Sequence, residues 1–112
     1  MSPDLPYWLA LLRFRKFGPV RFLRLQRVFP TMREAFFANV EELTRAEIEP
    51  DLARMFVVER ETISPEQEFE KMEKHKIQAV TIVDVAYPPL LKTIYDPPPV
   101  LFVRGALPSA AR

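Results

Sequence analysis

The chain has 112 residues, enough for one domain or for one small domain and part of another. Its 48% hydrophobic content and nine Phe suffice for a packed core, which excludes global disorder. It has no cysteine, which excludes disulfides, thiolate–zinc sites and a thiol nucleophile; it has no apolar run long enough for a membrane span, and its first thirty residues carry too many arginines for a signal-peptide apolar stretch. We therefore expect a soluble, cytoplasmic protein. The net charge of +1 conceals a segregation of sign. Residues 1–33 hold seven basic groups against Asp4, residues 34–74 hold twelve acidic against five basic, and residues 75–112 hold four basic against two acidic. This pattern predicts an electropositive N-terminal face on an acidic body, or simply solvated helix faces that differ in sign.

In chain order, Pro6–Phe14 reads as a short helix with Trp8, Leu9, Leu11 and Leu12 inward. Arg15-Lys16-Phe17-Gly18-Pro19 is a tight turn, in which Gly supplies free φ and Pro opens the next helix. That helix, Pro19–Phe29, carries Phe22, Leu25 and Phe29 on one face and Arg21, Arg24 and Arg27 on the other. Pro30 ends it. Thr31 can cap a third helix through Ala38, and Asn39 a fourth over Glu41–Ala46. Pro50 starts a fifth, with Leu52, Met55 and Phe56 inward. Ser64-Pro65-Glu66-Gln67 forms a capping box for a sixth helix running to about Lys76, with Glu70–Lys74 as a supporting pair.

After this helix the period changes. Ile77, Ala79 and Val83 alternate with Val80 and Ile82, the pattern of a strand apolar on both faces. Five of the twelve prolines then fall in two clusters, Pro88–Pro89 and Pro97–Pro99. The first suits the opening turn of a short helix, Leu90–Ile94, and the second forbids its continuation. Val100–Val103 reads as a short buried strand closed by Gly105. Two strands joined in this way suggest a crossover unit, but two strands make a poor sheet. Completion by further sequence or by another chain is expected.

The stretch Tyr87, Pro88, Leu91, Ile94, Asp96, Pro97, Pro98, Leu101 and Gly105 resembles the signature Y-P-x-x-L-x-x-I-x-D-P-P-x-x-L-x-x-x-G of the DNA-processing protein A family (DprA, also called Smf). Ile77–Asp84 leading into Tyr87-Pro88 fits the family's strand and its Asp-x-x-Tyr-Pro sequence. The Trp8 segment, Gly18-Pro19 and Glu42-Leu43 fit its N-terminal helical region more loosely. The resemblance implies a mainly α chain. Residues 1–63 would form a SAM-like, helix-hairpin-helix-like bundle, and residues 64–112 would supply the first helix and strands of a Rossmann-like α/β domain. In the family a Rossmann-like core follows the signature Gly and carries the main single-stranded DNA site. These 112 residues thus look like an N-terminal part. The complete protein would bind single-stranded DNA and help load a RecA-type recombinase during natural transformation.

Within the segment, Arg13, Arg15, Lys16, Arg21, Arg24 and Arg27 are the candidate DNA-binding residues, since phosphate contacts of this kind release counterions. Phe14, Phe17 and Phe22 could stack bases or could be core. The Arg15–Pro19 turn is a degenerate hairpin. Lys16 stands where a glycine would sit and Pro19 removes an amide donor, so it can serve phosphate binding or packing alone. The signature residues Tyr87, Pro88, Leu91, Asp96, Pro97, Pro98 and Gly105 read as structural, Asp84 and Asp96 as turn residues, and His75 as a helix-end residue in favourable dipole placement. Tyr87 and Tyr95 are expected to pack their rings and anchor their hydroxyls. No phosphate loop, metal spacing or triad appears, so neither an enzyme nor a cofactor is expected. The alternative to DNA contact is a protein interaction or self-association module.

Overall fold

The computed structural model describes residues 3–94 and 97–104. It is mainly helical: α1 (Leu5–Arg13), α2 (Gly18–Val28), α3 (Met32–Phe36), α4 (Val40–Arg45), α5 (Pro50–Glu59) and α6 (Pro65–Lys74), then strands β1 (Ile77–Thr81) and β2 (Val100–Arg104). A 3-10 turn, Arg60–Thr62, extends α5, and a second, Pro89–Thr93, lies between the strands. Local chemistry sets most of the helix starts. Thr31 accepts the Glu34 amide, and Asn39 and Glu42 form a reciprocal capping box. Ser64 accepts the Gln67 amide, while its own hydroxyl donates to Glu66. The box expected at Ser64 is thus only half built.

The core is aromatic. Phe14, Phe17 and Phe56 form a triangle with ring centroids 4.8, 5.3 and 4.9 Å apart, and Trp8 stacks on Phe22 at 5.7 Å. Phe56 also meets Phe36 edge-on, which joins α5 to α3. Met55, expected inward, is exposed. The inward stripe of α5 runs through Ala53 and Phe56, and Met55 lies off that face. Met72 of α6 and Val100 of β2 belong to the same buried cluster as the bundle.

Two long-range polar contacts hold the bundle's first and third helices. The Asp4 carboxylate accepts the Met32 and Arg33 amides at 2.9 Å each and the Trp8 indole N–H at 3.2 Å. It therefore caps α3 from outside. At the other end of α3, Arg60 donates to the carbonyls of Phe36 and Ala38 at 2.9 and 2.5 Å. The α4–α5 turn follows a Schellman pattern, with the Ile48 amide on the Leu43 carbonyl and the Glu47 amide on that of Thr44. This places Glu47 at φ 65, a conformation usually left to glycine. His75 is the C-cap of α6, and Lys76 follows at φ 56. The ion pair on α6 joins Lys71 to Glu68 rather than Lys74 to Glu70.

The strands depart from expectation in direction. They pair antiparallel, with Ile77 opposite Arg104, Ala79 opposite Phe102 and Thr81 opposite Val100. A parallel crossover needs an intervening helix long enough to return the chain along the strand. Pro89–Thr93 supplies five residues of 3-10 helix, roughly 10 Å, and the chain turns back instead. β1 also stops earlier than expected, at Thr81. There the Asp84 carboxylate accepts the Thr81 amide at 2.8 Å, and the Asp84 amide returns to the Thr81 carbonyl at 2.9 Å. Val83, placed on an apolar face by its spacing, falls beyond this turn and is exposed. β2 is only partly buried, since Phe102 remains exposed.

Candidate nucleic-acid interface

The hairpin between α1 and α2 sorts its residues by size and charge. Phe14 and Phe17 turn into the core, and the Phe17 amide bonds the Phe14 carbonyl at 3.2 Å. Gly18 stands at φ +62 with open space where a Cβ would project, so it is required for backbone hand rather than for close approach. With both Phe side chains inward, Arg13, Arg15 and Lys16 are left on the outside. The three rings considered for base stacking, Phe14, Phe17 and Phe22, are all buried in the core. The helical spacing that placed Phe22 inward extends to its neighbours across the hairpin.

The six candidate cations divide into two groups. Arg21 grips Glu49 with two hydrogen bonds, at 3.0 Å from Nε and 2.5 Å from Nη2, and reaches the Lys16 carbonyl at 3.4 Å. Arg24 donates to the Glu47 carbonyl at 2.9 Å and lies 3.8 Å from Glu49. These two arginines therefore tie α2 to the α4–α5 turn. The Arg21 hydrogen bonds hold the Glu49 carboxyl down from 4.5 to about 2, and the same contact raises the Arg21 guanidinium. Arg13 is 4.0 Å from Glu68 of α6. Arg15, Lys16 and Arg27 are exposed, and among the described residues none of their charged ends meets a carboxylate.

The proline-rich signature is an internal clasp. Tyr87 is buried, and its hydroxyl donates to the Pro98 carbonyl at 2.7 Å. Burial raises its phenol above the ordinary range. The Tyr87 amide bonds the Asp84 carbonyl, and the Leu91 amide bonds that of Pro88, which links two turns in succession. The Lys92 ammonium lies 6.0 Å from the centre of the Tyr87 ring. The Ile82 amide meets the Pro99 carbonyl at 2.9 Å, so the clasp delivers Pro98–Pro99 to the point where β2 begins. Of the signature side chains, Pro88 is exposed and Leu91, Pro97 and Pro98 are half-buried. Asp96, Gly105 and Tyr95 lie outside the described residues.

A comparison with curated proteins decides what this signature belongs to. The chain is 32% identical over 102 residues, 90% of its length, to Protein Smf of Synechocystis sp.. The chain belongs to the DprA/Smf family. It spans 26% of that relative's length. No family model matches the chain, and no solved structure gives a significant match. In this DprA/Smf segment, among the described residues, no three metal-ligating side chains gather and no helix is long and apolar enough to cross a membrane. Sequence reasoning missed Asp4 and Arg60 as bundle ties and Phe102 as an exposed ring. Asp4 and Arg60 act across 22 to 29 residues of sequence, beyond the reach of local motif rules.

Proposed function

We propose that this chain is the N-terminal part of a DprA-like recombination mediator and provides accessory, non-catalytic contact to single-stranded DNA. On this reading the helices form the family's SAM-like region and the strands lead into its Rossmann-like domain. The complete protein binds incoming single strands and helps load a RecA-type recombinase in natural transformation. The observation that carries the segment's own part is the exposure of Arg15, Lys16 and Arg27 with no carboxylate partner among the described residues. Phosphates can take up cations left in this state, with release of counterions. Arg21 and Arg24 support the surface by holding α2 in place.

A second reading, self-association or partner docking, rests on a different face. Val20 and Leu23 of α2 are each 44% exposed and border a trough of about 210 Å³ completed by Pro19, Ile82, Pro97 and Pro99. One experiment separates the two. Fluorescence anisotropy with a labelled single strand should give a Kd of about 10⁻⁴ to 10⁻⁶ M that weakens steeply with salt. Reversing Arg15, Lys16 and Arg27 to Glu should abolish this binding and leave sedimentation unchanged. Flat anisotropy at about 50 mM salt and about 100 µM protein, together with concentration-dependent sedimentation, favours the docking reading.

A further inference from the structure

We propose that Phe102 is a base-stacking side chain, flanked by Arg13 and Arg15, and that single-stranded nucleic acid is read there through an unpaired base as well as through phosphate. This rests on the DNA-contact reading above and adds a residue that no basic cluster would suggest. Phe102 lies on the same face of β2 as Val100, two residues earlier, because strand side chains alternate. Val100 is buried in the bundle core, whereas Phe102 is 55% exposed. The sheet therefore carries one face past the edge of the bundle, and the ring stands in a groove of about 390 Å³. Leu9 and Leu12 of α1 and Met72 of α6 form the apolar part of this groove.

Arg13 and Arg15 line the same groove. Arg15 has no carboxylate partner among the described residues, and Arg13 is held at 4.0 Å by Glu68. Among the described residues Glu68 is the one acidic residue lining the groove, and it is shared between Arg13 and Lys71, which lies 3.5 Å away. The local balance is thus cationic around an exposed aromatic ring. Single-strand binders combine these elements, cations that follow the backbone and rings on which bases stack. A second exposed ring serves as an internal comparison. Phe37 is 56% exposed, but it packs against Tyr7 and Phe36, and Arg33 sits 5.8 Å over it. Its cleft is bordered by Arg60, whose guanidinium is taken by the Phe36 and Ala38 carbonyls, and by Glu61 and Glu66, which repel phosphate and offset the two arginines. Exposure alone does not distinguish the two rings; the net balance does, two cations against two carboxylates around Phe37 and two cations against one around Phe102.

The test uses the whole chain and a thymidine oligomer of roughly 12 nucleotides, within the usual site sizes. An abasic strand of equal length isolates the phosphate contribution. Phe102→Ala should weaken binding to the thymidine strand by at least about fivefold, the lower end of a single stacking contact. It should not change binding to the abasic strand, and Phe37→Ala should change neither. Phe102→Trp should keep the affinity, and its emission should be quenched at saturation against the constant background of buried Trp8. If wild type and Phe102→Ala bind the thymidine strand equally, or the new indole is not quenched, the stacking assignment is wrong while the DNA-contact reading stands. If wild type binds neither strand at about 50 mM salt and 100 µM protein, the DNA-contact reading is wrong and the stacking assignment falls with it.

Discussion

The helical bundle and the proline-rich strand segment are stabilised in different ways. In the bundle, each helix has a cap or a proline at its start, and Phe14, Phe17, Phe22 and Phe56 fill the space between helices. Many contacts share the burden, so no single hydrogen bond decides the arrangement. The strand segment has one two-stranded sheet and a connection whose 3-10 turn buries no residue. Tyr87 is its large buried side chain, and its position depends on a few polar contacts at Asp84, Pro98 and Pro99. A region built this way depends on the quality of single bonds, and its stability is local. The contrast also fits the division of labour proposed above. The bundle carries Arg13 and Arg15, while the segment brings Phe102 to the same groove.

The largest effect should come from Phe56→Ala. This ring touches Phe14, Phe17 and Phe36, and its removal leaves a cavity at the centre of the bundle. Large-to-small aromatic changes of this kind cost about 3–5 kcal/mol. Urea denaturation followed by far-ultraviolet circular dichroism should show that loss as a lower midpoint. A cost under about 1 kcal/mol would mean that the bundle is not organised around this triangle.

Tyr87→Ala comes next, at about 3 kcal/mol, and should differ in kind. Hydrogen exchange should speed up at the Val80 and Ile82 amides while the amides of α1 and α2 keep their protection. Tyr87→Phe, which loses only the bond to Pro98, should cost about 1 kcal/mol and accelerate the same amides less. If Tyr87→Ala loosens the bundle amides equally, the two regions form one cooperative unit and the contrast fails.

The same contrast explains what could be read from the sequence. Helix positions were legible because their signals lie within four residues: Thr31 before Glu34, Asn39 before Glu42, and Pro50 or Pro65 at a first turn. The Tyr87-Pro88 stretch was legible as a family pattern, and Asp84 as a turn residue. The antiparallel pairing was not, because strand direction depends on how a long connection folds and its proline spacing admits more than one path. The two groups of cations were equally hidden. Arg21, Arg24 and Arg27 recur every three residues, but Arg21 and Arg24 meet Glu47 and Glu49, which lie 23 to 28 positions away. Phe102 looked buried because its neighbours are apolar. Its exposure follows from where the bundle ends, which no window on the strand contains.

The smallest expected effect lies on the bundle's surface, where acid should act at the seam between α2 and the α4–α5 turn. The Glu49 carboxyl titrates at about 2 in the folded chain, against an ordinary 4.5, chiefly because Arg21 hydrogen-bonds its charged form. A carboxyl with a depressed folded pKa stabilises the fold fully above its unfolded value. That contribution is lost as pH falls through the folded one. The Glu49 contribution should therefore be complete above about pH 4.5, decline below it, and be gone by about pH 2. Glu49→Gln removes the titrating group, so its melting temperature should lie below that of wild type at neutral pH. The two should converge as pH falls through this window. Because the pair is exposed, added salt should shrink the gap. Melting curves that stay parallel through the window, or a gap insensitive to salt, would mean that the Arg21–Glu49 contact does not hold α2 in solution. Arg21 would then be as available to phosphate as Arg15 and Lys16 and would move to the free group of cations, while Arg24 would keep its bond to the Glu47 carbonyl.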